Sequence, residues 1–80
     1  MSSNSLKIRV LTVLDGRGLM NAPMISTLAE FRPVRAVYIY MKRLQRWGLV
    51  RRRKPLGGLI LWEITERGRE RLTWLNRAKI

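Results

Sequence analysis

The side chains with most to offer chemically are cationic. Between positions 33 and 47 the sequence carries Arg35, Lys42, Arg43 and Arg46 with no acid among them, and the run Arg51-Arg52-Arg53-Lys54 follows closely. A guanidinium is a planar fork that matches phosphate oxygens and the O6/N7 edge of guanine, and an ammonium is a mobile point charge. Both bind anions. The 80 residues hold 17 Lys and Arg against five Asp and Glu, a formal +12. Self-repulsion at that density is relieved by a polyanion, so nucleic acid is the first partner to consider and an anionic membrane surface the second.

Other chemistries lack their reagents. There is no Cys and no His, which removes disulfides, thiolate nucleophiles, the commonest metal ligand and the commonest general base. Asp15, Glu30, Glu63, Glu66 and Glu70 show no spacing that pairs them in one pocket. No catalytic residue, metal site, cofactor or small-molecule ligand is therefore expected, and the chain reads as a binding protein, not an enzyme. The opening Met-Ser-Ser-Asn-Ser lacks the charged and apolar regions of a secretory signal. No stretch approaches the about 20 apolar residues of a membrane span. A cytoplasmic, nucleoid-associated location is expected.

The elements that must position these cations follow from periodicity. One domain is expected over 1–80, since a chain this short supports a single core. Residues 1–4 read as a loose polar leader. In 5–14 the apolar positions Leu6, Val10, Leu11 and Leu14 keep helical spacing, although Leu6-Ile8-Val10 also alternates like a strand; Asp15-Gly16-Arg17-Gly18 stops the segment. Asn21-Ala22-Pro23 reads as the start of a helix over 22–31 with Met24, Ile25, Leu28 and Ala29 buried. Over 33–47 a 100° wheel gathers Val34, Val37, Met41 and Leu44 on one arc, with Tyr40 and Trp47 on its flank. The opposite arc holds Arg35, Ile39, Lys42 and Arg46, with Ala36 and Arg43 beside it. A helix needing only solubility would mix in acids. This one has none. Residues 49–64 read as a β-hairpin with a Pro55-Leu56-Gly57-Gly58 tip and with Ile60, Trp62 and Ile64 on one face. Thr65 caps a last helix over 65–79 in which Gly68, Leu72 and Leu75 share a face and Trp74 and Ala78 lie to one side. Trp47 and Trp62 are expected in the core. The expected fold is mainly α with a small β-hairpin (α+β), in the order helix-helix-helix-strand-strand-helix.

Three stretches, in order, carry a resemblance. "MISTLAEF" (24–31), "MKRLQRWGLVRRR" (41–53) and "LWEITERGRERL" (61–72) resemble the first helix of the pair, the end of the recognition helix with the start of the wing, and the second wing strand with its following helix, in MarR-, PadR- and ArsR-type transcription regulators. The resemblance implies a winged helix-turn-helix that binds double-stranded DNA, with the 33–47 helix in the major groove and the wing on flanking backbone or minor groove. It implies that Arg35, Ala36 and Ile39 face base edges, that Lys42 and Arg43 lie near phosphates, and that Arg52, Arg53, Lys54 and Gly57 belong to the wing. The charge pattern adds Arg46 and Arg51 to that surface. Ile39 would meet a thymine methyl or be an incidental exposed residue, and Tyr38 would donate to phosphate or pack on the wing. Trp74 and Ala78 are candidate contacts of a homodimer, Trp74 alternatively belonging to a small hydrophobic cluster of its own. Tyr38-Ile39-Tyr40 departs from the small polar or basic residues commoner there, and the long flanking helices that make many MarR-type dimers are missing. A sequence-indifferent architectural protein, or a winged-helix module for protein or RNA, are the alternatives to a regulator. The compact, Arg-rich, Cys-free make-up also resembles small regulators of archaea and their viruses, which would place a viral protein in the host cytoplasm.

Overall fold

The arrangement of apolar residues at 10, 11 and 14 makes the first element a helix and not a strand. In the computed structural model, which describes residues 3–54 and 56–78, α1 spans Ser3–Arg17, with Val10, Leu11 and Leu14 wholly buried. Ser3 and Asn4 join this helix, and the rest of the leader lies outside the described residues. α1 also runs through Asp15 and Gly16. It stops at Gly18, whose φ of +82° turns the chain while its N–H still reaches the Leu14 carbonyl at 3.0 Å. The carboxylate in that last turn is met by Arg69, Nε to Oδ1 3.0 Å.

α2, Ala22–Leu28, begins where Asn21 Oδ1 accepts the Met24 N–H at 2.9 Å. Its buried side is Ala22, Ile25 and Ser26, continued by Ala29. The expected stripe is thus corrected: Met24 and Leu28, one turn apart, face outward. Seven residues are too few for periodicity to choose between two apolar faces. The helix is also three residues shorter than expected. Glu30 takes a positive φ of 53°, and buried Ser26 ties the turn by donating Oγ–H to the Phe31 carbonyl at 2.6 Å while the Phe31 N–H returns to Ser26 O at 2.9 Å. That turn delivers the chain to α3, Val34–Arg46.

α3 buries Val37, Met41 and Leu44 and ends in a paired capping turn. The Leu49 N–H reaches Leu44 O at 3.0 Å and the Gly48 N–H reaches Gln45 O at 2.9 Å, with Gly48 at φ +77°. β1 (Val50–Arg53) and β2 (Leu61–Ile64) pair antiparallel around a short 3₁₀ turn at Leu56–Gly58. Residue 55 of the expected tip lies outside the described residues. Met20 adds a one-residue bridge to Trp62, sharing both backbone hydrogen bonds at 2.8 and 3.0 Å. Trp62 is buried as expected, although its indole N–H finds no partner among the described residues.

α4, Glu66–Ala78, packs through Gly68, Leu72 and Leu75, with α1 across from it. Thr65 joins its start to the end of α3: Oγ1 accepts the Gly68 N–H at 3.0 Å and donates to Gly48 O at 2.7 Å. Position 68 has no room for a side chain, since a Cβ would run into the Leu49 carbonyl oxygen and stand 2.7 Å from Ile64 Cγ1. The start of α4 and the end of β2 are thereby fixed against the turn that closes α3.

Candidate nucleic-acid interface

Burial of Val37, Met41 and Leu44 leaves the other side of α3 to solvent. Arg35, Tyr38, Ile39, Lys42, Arg43 and Arg46 are all exposed there, Ile39 at 59%. Among the described residues no carboxylate pairs with any of these cations. Ala36 is half-buried and lines a groove of about 420 Å³ with Leu6, Phe31, Ile39, Tyr40 and Trp47, so it and Ile39 form the edge of an apolar hollow beside the basic face. Phe31 meets Tyr40 edge-on at 5.6 Å. Burial pushes the Tyr40 hydroxyl above its ordinary range, against the pull of the Arg43 charge, so it stays a neutral donor at physiological pH.

The hairpin's four cations are not equivalent. The register sets Arg51 opposite Glu63 and Arg52 opposite Trp62. Side chains alternate across a strand, so Arg51 and Arg53 share the outer face, where both reach Glu63 Oε1, at 3.5 and 3.0 Å. Arg52 lies on the other face, the one that Val50, Trp62 and Ile64 turn to the helices. Arg52 and Lys54 have no ion pair among the described residues. Gly57, at φ +81° with nothing within 4 Å of a would-be Cβ, makes an open tip.

No family model matches the chain, and no curated protein matches it in sequence. Its backbone does match solved structures. YusO from Bacillus subtilis superposes with a TM-score of 0.81 over 90% of this chain at 20% identity, and a MepR-like protein with 0.82 over 91% at 21%. Sco5413, a MarR family transcriptional regulator from Streptomyces coelicolor, superposes with 0.76 over 89% at 27%. The fold is a MarR-like winged helix. The chain spans about half the length of these structures, 52%, 52% and 50% respectively.

In this winged helix α2 and α3 form the helix pair and β1–β2 the wing. Trp47 is 44% exposed, not in the core as expected. The capping turn at Gly48 leaves it at the end of α3, where Lys7 Nζ stands 4.6 Å from its ring centroid. Trp74 is 56% exposed with the Arg71 guanidinium 5.3 Å from its ring, and Ala78 is exposed on the same helix. Sequence reasoning also passed over Lys7, Arg67 and Arg71, which come together with Arg46 around Trp47. The four-residue spacing of Arg67 and Arg71 was the one available signal; that α1 and α4 converge on the end of α3 was not legible.

Proposed function

We propose that this winged helix binds double-stranded DNA sequence-specifically, as the DNA-reading part of a transcription regulator. The observation that carries the reading is the exposed, acid-free side of α3 beside a cationic wing. A major groove accepts one helix with its side chains. In that pose Arg35, near the helix start, reads a base edge. Ile39 meets a thymine methyl, with Ala36 and Tyr38 at the rim. Lys42, Arg43 and Arg46 hold phosphates. Arg52, Lys54 and the open Gly57 tip engage flanking backbone or the minor groove, with Arg51 and Arg53 contributing as far as Glu63 releases them. Several of the matching structures are of transcriptional regulators, which supports the same role. The exposed Trp74–Ala78 end of α4 pairs two copies across a two-fold site. No described helix is long and apolar enough to cross a membrane, and a cytoplasmic location follows from the DNA partner.

The test is Arg35→Ala on duplexes selected from a random pool. A base contact costs about 1–3 kcal/mol on the preferred site and less on random duplex. Equal losses on both would refute base reading. The formal +12 and the cations away from α3 favour one rival, an architectural protein that coats DNA. Footprinting separates the two: half-sites about one helical turn apart mark a regulator, continuous protection a coating protein.

A further inference from the structure

α4 sorts its arginines. Arg69 is neutralised, with Nε 3.0 Å from Asp15 and an Nη nitrogen 3.7 Å from Glu66. Arg67 and Arg71, one turn apart on another side, have no carboxylate partner among the described residues. They open onto a cleft of about 500 Å³ completed by Lys7 of α1, by Arg46 and Trp47 at the end of α3, and by the Gly48–Leu49 turn. Among the described residues, four cations and no acid line this concave surface, and Glu70 lies with Arg67, Arg71 and Trp74 on a neighbouring hollow.

The cleft is built, not merely crowded. Gly48, at φ +77°, leaves its outer side bare, and the Arg67 side chain lies across it, with Cδ only 3.4 Å from where a Cβ would stand. Lys7 is held over the Trp47 ring. Like charges gathered from three helices repel one another unless an anion sits between them. Guanidinium forks favour phosphate oxygens, which they grip in pairs.

We propose that this cleft binds a chain of closely spaced phosphates, carried by a free oligophosphate or nucleotide or by a single nucleic-acid strand. Lys7, Arg46, Arg67 and Arg71 hold the phosphates and Trp47 forms the wall. Arg46 also belongs to the exposed face of α3, so an occupant of the cleft competes with duplex DNA for it. That consequence rests on the DNA-binding reading; the site itself does not.

Calorimetric titration of the full chain with inorganic tripolyphosphate, at near-physiological salt, tests the site. One saturable site per chain is expected. Arg67→Gln with Arg71→Gln weakens it about tenfold or more, whereas Arg9→Gln with Arg77→Gln, an equal charge loss at exposed positions outside the cleft, weakens it less than about threefold. Glutamine keeps helix propensity, so both variants retain the fold. Parallel titrations with ATP and with a short oligo-dT identify the natural carrier by the tighter binding. Absence of saturable binding, or equal losses in the two double variants, would overturn the proposal. Tripolyphosphate that saturates the cleft without weakening duplex binding would overturn the competition for Arg46.

Discussion

Removing an acid from the wing should strengthen DNA binding and steepen its salt dependence. Glu63 Oε1 lies 3.0 Å from Arg53 and 3.5 Å from Arg51, so one carboxylate holds two guanidinium groups that would otherwise face phosphate. The unpaired cations of α3 and the wing suffice for about five phosphate contacts, a slope of log K against log salt near −4.5. Glu63→Gln keeps the shape of the side chain and frees about one further cation, moving the slope to about −5.4. A rise from about 50 to about 200 mM salt weakens the parent about 500-fold. The variant loses about 3.5 times more over the same range, starting from the tighter affinity. The fold bears the change, since an exposed cross-strand pair contributes no more than about 1 kcal/mol. Fluorescence anisotropy on a labelled duplex across that salt range reads both quantities. A variant with weaker binding and an unaltered slope would show that the outer face of the wing does not meet the backbone.

Three further outcomes follow from particular contacts. Gly68→Ala ordinarily favours a helix by about 1 kcal/mol, but here the added Cβ meets Leu49 O and Ile64, and a net loss of about 1–3 kcal/mol is expected in thermal or denaturant unfolding; a gain would refute the close approach. Burial raises the Tyr40 hydroxyl above its ordinary 10.0, so the unfolded chain gives up that proton first. The stability linked to Tyr40 is fully present below pH 10 and is lost as pH rises through the folded value; Tyr40→Phe should flatten the decline in denaturant midpoint above pH 10, and an unchanged decline would contradict it. Trp74→Ala should shift sedimentation from dimer toward monomer, and a parent that is monomeric at micromolar concentration would end the α4 pairing model.

The legible parts were those where one physical signal acted alone. The stripe at Val37, Met41 and Leu44 lies in a helix of 13 residues, long enough for period and arc to agree. Asn21 and Thr65 cap their helices as their types suggest. Two apolar residues one turn apart on each side of α2 left its orientation open, and Ser26, a polar residue, took the buried place because Phe31 satisfies it. Trp47 was misplaced because a glycine turn, not the helix wheel, decides where the residue that caps α3 faces. The division of the wing arginines needed strand register, and the cleft of Lys7, Arg46, Arg67 and Arg71 needed the packing of three helices. Neither is a local property of the chain.

The placement of the few acids gives the α3 surface its meaning. Glu63 serves the wing, and Asp15 and Glu66 serve Arg69, while among the described residues none pairs with a cation of α3. Arg43 and Arg46 at least occupy the last turn, where the helix dipole favours them. Arg35 does not: it stands in a first turn that contains no acid, where the same dipole opposes a cation by about 0.3–1 kcal/mol. An isolated helix would be better served by Glu at that position. The conflict is local, it sits on the exposed side, and a phosphate or a guanine edge placed against Arg35 reverses its sign. A helix start that is electrostatically unfavourable in the free protein, and would be favourable against an anion, fits the proposed role of this surface in binding DNA.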